Sequence, residues 1–151
     1  ELDDLRAPVS APPSRVRIQT FGNFDIFVDN TPLVFFRTKA KEALAYIISK
    51  NGSSVTVAEL AAAIWEAREY SRSLQNQVQT VISDKMNTLR KARVHDIIIK
   101  KRNNISVDVS KVDCDYYRFL KGDAAAVNAY MGEFMSHYSW AEMITGYLSN
   151  K

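Results

Sequence analysis

The strongest pattern of apolar and polar positions lies between Ser71 and Asp108. From Leu74, apolar residues return at Val78, Val81, Ile82, Met86 and Leu89, the spacing of one helix face. At about 100° per residue, the opposite face carries Arg72, Ser73, Asn76, Gln79, Thr80, Ser83, Asn87, Arg90 and Lys91. Ile97-Ile98-Ile99-Lys100-Lys101 then runs into Arg102-Asn103-Asn104 and returns as Ile105-Ser106-Val107-Asp108. Two β-rich runs around an Asn-containing turn predict a hairpin with a basic tip.

Upstream, Val16-Arg17-Ile18-Gln19-Thr20-Phe21 alternates like a half-buried strand. Gly22-Asn23 turns the chain into Phe24-Asp25-Ile26-Phe27-Val28, and Asp29-Asn30-Thr31-Pro32 turns it again. Leu33-Val34-Phe35-Phe36 is expected to close an antiparallel meander, with Phe21, Phe24, Phe27, Phe35 and Phe36 forming an apolar face to be covered. Thr38 is the expected N-cap of a first helix carrying Ala40, Ala43, Leu44, Ile47 and Ile48, which Asn51-Gly52 ends. After a short extended link, Thr56 and Glu59 have capping-box spacing for a second helix with Leu60, Ala61, Ile64 and Trp65 on its apolar side. Residues 66–72 connect it to the long helix.

Past the hairpin the pattern breaks into shorter pieces. A helix is predicted over Asp113 to Leu120. Gly122 breaks it, and Asp123 can cap a further helix from Ala124 to Met131. Gly132 interrupts again, and Ser139 can cap a last segment running to Leu148. These pieces suit a helical appendage packed on the main body. Residues 1–14, with Pro8, Pro12 and Pro13, suppress regular structure and are expected to be a linker.

Composition narrows the function classes. At 151 residues and 46% apolar content the chain can bury one real core. No apolar run is long enough to span a bilayer, and no secretory h-region opens the chain. No membrane association is expected. The single cysteine, Cys114, has no internal disulfide partner, which suits a reducing, cytoplasmic compartment. The net charge of +3 is mild, but its distribution is not. Residues 67–104 hold nine basic and three acidic side chains, against seven and eight before them and four and six after. The positive excess falls on the long helix and the hairpin, as a footprint for a polyanion would.

The resulting fold class is α+β. It has an N-terminal antiparallel sheet, three helices and a C-terminal hairpin wing over residues 15–108, then a short helical tail over 109–151. That is a winged helix-turn-helix order, and it resembles the OmpR/PhoB-type effector domain of bacterial response regulators. The residues behind the resemblance are Phe21-Gly22-Asn23-Phe24 with Asn30-Thr31-Pro32-Leu33, and Arg37-Thr38-Lys39-Ala40-Lys41-Glu42-Ala43-Leu44-Ala45-Tyr46. The latter is similar to the family's R-x-K-x-x-E-L-L first helix, and Glu59-Leu60 through Ile64-Trp65 is similar to its second. In the tail, Val112-Asp113-Cys114-Asp115-Tyr116-Tyr117-Arg118-Phe119 and Ala129-Tyr130-Met131-Gly132-Glu133-Phe134-Met135 resemble the start of the bacterial transcriptional activator domain of SARP-type regulators.

The resemblance implies a sequence-specific DNA-binding module of a two-component transcription regulator; the sequence carries no P-loop, dinucleotide fingerprint or nucleophile elbow, so no cofactor and no catalysis are expected. Its partners would be double-stranded DNA, an N-terminal receiver domain from which residues 1–14 exit, RNA polymerase, and a second copy in tandem on repeated half-sites. The long helix would enter the major groove and the wing an adjacent groove or backbone. Asn76, Gln79, Thr80 and Ser83 are the candidate base readers. Arg72, Arg90 and Lys91, together with Lys100, Lys101 and Arg102 of the wing, would hold phosphates, and Ser73 and Asn87 of the helix and Asn103 of the wing complete the candidate DNA-binding set. Thr38 and Lys39 at the first helix are weaker phosphate candidates.

One departure stands out. Where relatives carry an S-R-L-R stretch, this chain has Ser83-Asp84-Lys85-Met86. Asp84 would repel phosphate if it faced DNA, and Lys85 falls on the buried stripe, where its head is expected to snorkel out. The alternative is a winged helix used for protein contacts, with Tyr116, Tyr117, Phe134, Tyr138 and Trp140 as docking surface. Other chemistry is sparse. His95 suits a helix-end position, His137 follows Glu133 by four residues with no second ligand pair, and carboxylates flank Cys114. Trp65 and Trp140 are expected in the core.

Overall fold

Alternation in the first strand does what the pattern predicts: Val16 and Ile18 point into the core and Arg17 out, forming β1 (Val16–Gln19). The computed structural model describes residues 15–65, 71–102 and 104–149. β2 (Asp25–Val28) pairs antiparallel with β1, Val16 opposite Val28 and Ile18 opposite Ile26. Asp29 and Asn30 both take positive φ, 50° and 69°, the two-residue turn that matches strand twist. The third strand, β3, is therefore Thr31–Pro32 rather than Leu33–Phe36. Pro32 is tolerated because β3 is the sheet edge, and the last bond to β2 is Leu33 N–H donating to Ile26 O at 2.9 Å. Beyond it, Val34 and Phe36 are 83% and 86% exposed, so the expected all-aromatic inner face is reduced to Phe24, with Phe21 and Phe35 partly buried.

The core gathers around α1 (Thr38–Ser49), whose Ala40, Ala43, Leu44, Ala45, Ile47 and Ile48 are all inaccessible to solvent. Small alanines interleaved with branched residues let α1 sit against several neighbours at once. Its N-cap is Arg37 and not Thr38, and no side chain closes that end. At the other end Asn51 and Gly52 adopt positive φ. A Cβ on Gly52 would also lie 3.2 Å from the Val109 side chain, so both conformation and crowding call for glycine.

Thr56 and Glu59 form the expected capping box of α2 (Val57–Trp65): Glu59 N donates to Thr56 Oγ1 and Thr56 N to Glu59 Oε1, each at 3.0 Å. The preceding link is itself a strand, β4 (Val55–Thr56). The connection to the long helix falls at 66–70, outside the described residues. α3 (Arg72–Lys91) starts where Ser71 Oγ accepts Leu74 N at 3.1 Å. All six of its predicted apolar positions are buried. A 3-10 turn at His95–Ile97 leads to β5 (Ile98–Lys100) and β6 (Asn104–Val107), paired as Ile98–Val107, Ile99–Ser106 and Lys100–Ile105. β4 joins the other side of β6, giving a small sheet in the order β4-β6-β5.

The tail returns to the first sheet. Asp113–Cys114 is a strand, β7, and not the start of a helix. It lies parallel to β1 and completes the order β3-β2-β1-β7. α4 (Asp115–Leu120), α5 (Ala124–Ala129) and α6 (Glu142–Ser149) follow. Asp123 caps α5 through Ala125 N and Ala126 N, and α5 stops two residues short of the expected Met131. Ser139 opens a 3-10 turn into α6 and gives it no side-chain cap.

The Asp115 carboxylate accepts Thr20 N, Phe21 N, Tyr116 N and the Thr20 hydroxyl. Met135 N donates to Thr20 O at 2.7 Å and Gly22 N to Glu133 O at 2.8 Å. Phe21, Phe119 and Tyr130 pack edge to face, as do Tyr116 and Phe134. Tyr116, Tyr117 and Phe134 are thus interior, and the expected aromatic docking surface is not formed by them. No helix among the described residues is long and apolar enough to cross a membrane.

Candidate nucleic-acid interface

Burial of Leu74, Val78, Val81, Ile82, Met86 and Leu89 fixes how α3 is rotated, and so what it presents. Arg72, Ser73, Asn76, Gln79, Thr80, Ser83, Asn87, Arg90 and Lys91 are all exposed. At helical pitch these nine share a sector of roughly 120°. Within it Thr80 Oγ1 donates to Asn76 O at 3.0 Å, and Arg90 donates to Asn87 Oδ1 at 3.3 Å. No carboxylate lies inside the sector.

Asp84 sits just outside that sector, and its charge is met. Arg37, immediately before α1, forms an ion pair with it, without the alignment of a hydrogen bond. The repulsion expected of Asp84 is therefore largely cancelled by a residue from another element.

Lys85 departs from expectation. It does not snorkel: the whole side chain is buried, 0% exposed, and among the described residues its Nζ meets only Met86 Sδ, at 3.5 Å. Loss of hydration pushes its pKa down to about 7, and the nearby Lys100 charge adds to the effect. One of the nine basic residues counted in this stretch is therefore withdrawn from the surface.

The start of α1 and the first half of α3 meet around an open cup. Arg37, Lys39, Trp65, Asn76, Gln77 and Thr80 line its volume of about 280 Å³. Lys39 Nζ donates to Ile64 O at 2.9 Å, lies 5.6 Å from the Trp65 ring centre and sits 3.6 Å from Glu42 Oε1. Thr38 is exposed beside it. The structure thus brings Lys39 together with Asn76 and Thr80. Arg37, Trp65 and Gln77 are additions that helix periodicity alone does not reveal, although Arg37 stands in the R-x-K motif.

At the hairpin, Lys100, Lys101 and Arg102 are exposed, and none is paired with a carboxylate of the described residues. Lys101 N donates to Asn104 O at 2.9 Å and tightens the tip. Asn103 lies outside the described residues. Ile99, just before these cations, points outward and is 40% exposed.

The remaining candidates take structural places. Cys114 is buried, and burial together with the Asp115 charge raises its thiol pKa, so it has no thiolate character. Among the described residues no group of three or more His, Cys, Asp or Glu could hold a metal ion. Both tryptophans are half-buried rather than core, and each has a polar or charged neighbour: Lys39 over Trp65, and Glu42 Oε2 accepting Trp140 Nε1 at 2.9 Å.

Comparison with known proteins places the fold. No family model matches the chain, and no curated protein matches it by sequence. Among solved structures it is similar to Mycobacterium tuberculosis EmbR, described in complex with a low-affinity phosphopeptide, at a TM-score of 0.67 and 16% identity. The similarity covers 91% of this chain but 42% of the EmbR chain. The two share a mixed α+β fold over that length.

Proposed function

We propose that this chain is a sequence-specific DNA-binding module of a bacterial transcription regulator, with residues 15–108 as a winged helix-turn-helix and 109–151 as a SARP-like tail. The observation that carries this reading is the carboxylate-free polar face of α3, flanked by the Arg37–Lys39 cup and accompanied by a cationic hairpin tip. Amides and hydroxyls on one helix face suit base edges in a major groove. Lys100, Lys101 and Arg102 suit phosphates. The module performs no catalysis, acts in the cytoplasm, and works with a receiver domain, RNA polymerase and a second copy on repeated half-sites.

The test is selection of bound duplexes from a random pool, followed by affinity measured against salt. Binding should weaken steeply, with log K falling by about 0.9 per phosphate contact for each unit of log salt. A second reading, a protein-docking module, draws on the exposed Val34 and Phe36. It predicts binding to protein that responds little to salt, and no enrichment of any duplex.

A further inference from the structure

Glu42 stands between the tail and the cup. Its carboxylate is only 16% exposed and is shared by two donors from different parts of the chain. Oε2 accepts the Trp140 indole N–H at 2.9 Å, and Oε1 faces Lys39 Nζ at 3.6 Å. Trp140 is held in place by stacking on Tyr138, with ring centres 5.2 Å apart, and by an edge contact with Tyr46 at 5.1 Å. Lys39 is 44% exposed, bonded to Ile64 O, and opens into the cup that also holds Asn76 and Thr80.

A half-buried carboxylate that loses a donor costs free energy. The 3.6 Å separation is an ionic contact longer than a direct hydrogen bond, so Lys39 can turn toward another anion at modest cost. That holds only while Glu42 keeps its second donor. We infer that Trp140 is a positioning residue: by satisfying Glu42 from the tail side, its indole N–H leaves the Lys39 ammonium available to a DNA phosphate at the cup. The inference rests on the DNA-binding reading, and it makes the tail a determinant of affinity although Trp140 itself touches no nucleic acid. Without the indole N–H, Glu42 would draw Lys39 back and the phosphate contact would weaken.

Trp140→Phe keeps an aromatic ring for Tyr138 and Tyr46 and deletes only the donor. Binding of a short random-sequence duplex to the full chain, measured by anisotropy across a salt series, should weaken about five-fold. The salt slope should also shrink, by at most the 0.9 of one phosphate. In a Lys39→Ala background, Trp140→Phe should change nothing further, as a cycle through one shared contact requires. Glu42→Gln, which removes the competing charge, should restore Trp140→Phe to near the parent affinity. A five-fold loss that persists without Lys39, or no loss at all, overturns the inference and leaves the DNA-binding reading intact. Failure of the unsubstituted chain to bind any duplex at low salt overturns both.

Discussion

The Arg37 guanidinium meets the Asp84 carboxylate across the gap between the start of α1 and the middle of α3. The pair joins two elements that the proposed interface needs in fixed relation, and it pairs the acidic residue nearest the exposed polar sector of α3. Arg37→Ala should therefore weaken duplex binding about ten-fold, more than loss of one exposed cation. Asp84→Asn in the same chain should recover most of that loss. Stability should change by no more than about 1 kcal/mol, because the Arg37 side chain is half exposed and solvent screens the pair. Anisotropy titrations beside thermal melts separate the two effects.

Lys85 should make stability depend on pH. Its folded pKa of about 7 lies below the ordinary 10.5, so between those values the unfolded chain binds a proton that the folded chain does not. Stability should therefore rise as pH increases from about 7 to 10.5, and the full penalty applies below about 7. Lys85→Met, similar in length and apolar, should stabilise the fold at neutral pH by roughly 3–4 kcal/mol and flatten that rise. Urea unfolding of both forms at several pH values checks the slope. A parent curve that falls between pH 7 and 10 would contradict the burial of a neutral amine.

The wing should matter more than the end of the helix. Lys100, Lys101 and Arg102 have no carboxylate partner among the described residues, whereas Arg90 is partly engaged with Asn87. Replacing the three wing cations by alanine should weaken duplex binding well beyond Arg90→Ala and reduce the salt slope by up to about 2.7. Equal losses, or a larger loss at Arg90, would show that the hairpin tip is not the main phosphate anchor.

Asp115 should be the most sensitive polar position in the tail. Its carboxylate accepts two backbone N–H groups from Thr20 and Phe21 and the Thr20 hydroxyl. Asp115→Ala should cost about 2–4 kcal/mol. Tyr117→Phe, which removes one buried bond to Ile48 O, should cost about 1 kcal/mol. Chemical denaturation measures both.

Much of this architecture was legible because its signals are local. The stripe from Leu74 to Leu89 has one period, and the Thr56–Glu59 box needs only four residues. The polar face of α3 followed directly, since the buried face sets the exposed one. The departures arise where distant segments meet. Asp113–Cys114 reads as a helix start until β1 is seen alongside it, and β3 falls at Thr31–Pro32 because Asp29 and Asn30 alone close the turn. Snorkelling of Lys85 required a path to solvent that packing around α3 does not leave. Arg37–Asp84 and Trp140–Glu42 link positions 47 and 98 residues apart, and no periodicity predicts such pairs.

The parallel placement of β7 beside β1 bears on synthesis. A nascent chain that has emerged only as far as Asp108 has every strand and helix proposed to contact DNA, yet β1 still presents a bare row of amides and carbonyls on one side. Such an edge invites pairing with a neighbouring polypeptide. A gene truncated just after the hairpin should therefore yield insoluble product, and extending it through Leu120 should recover soluble material.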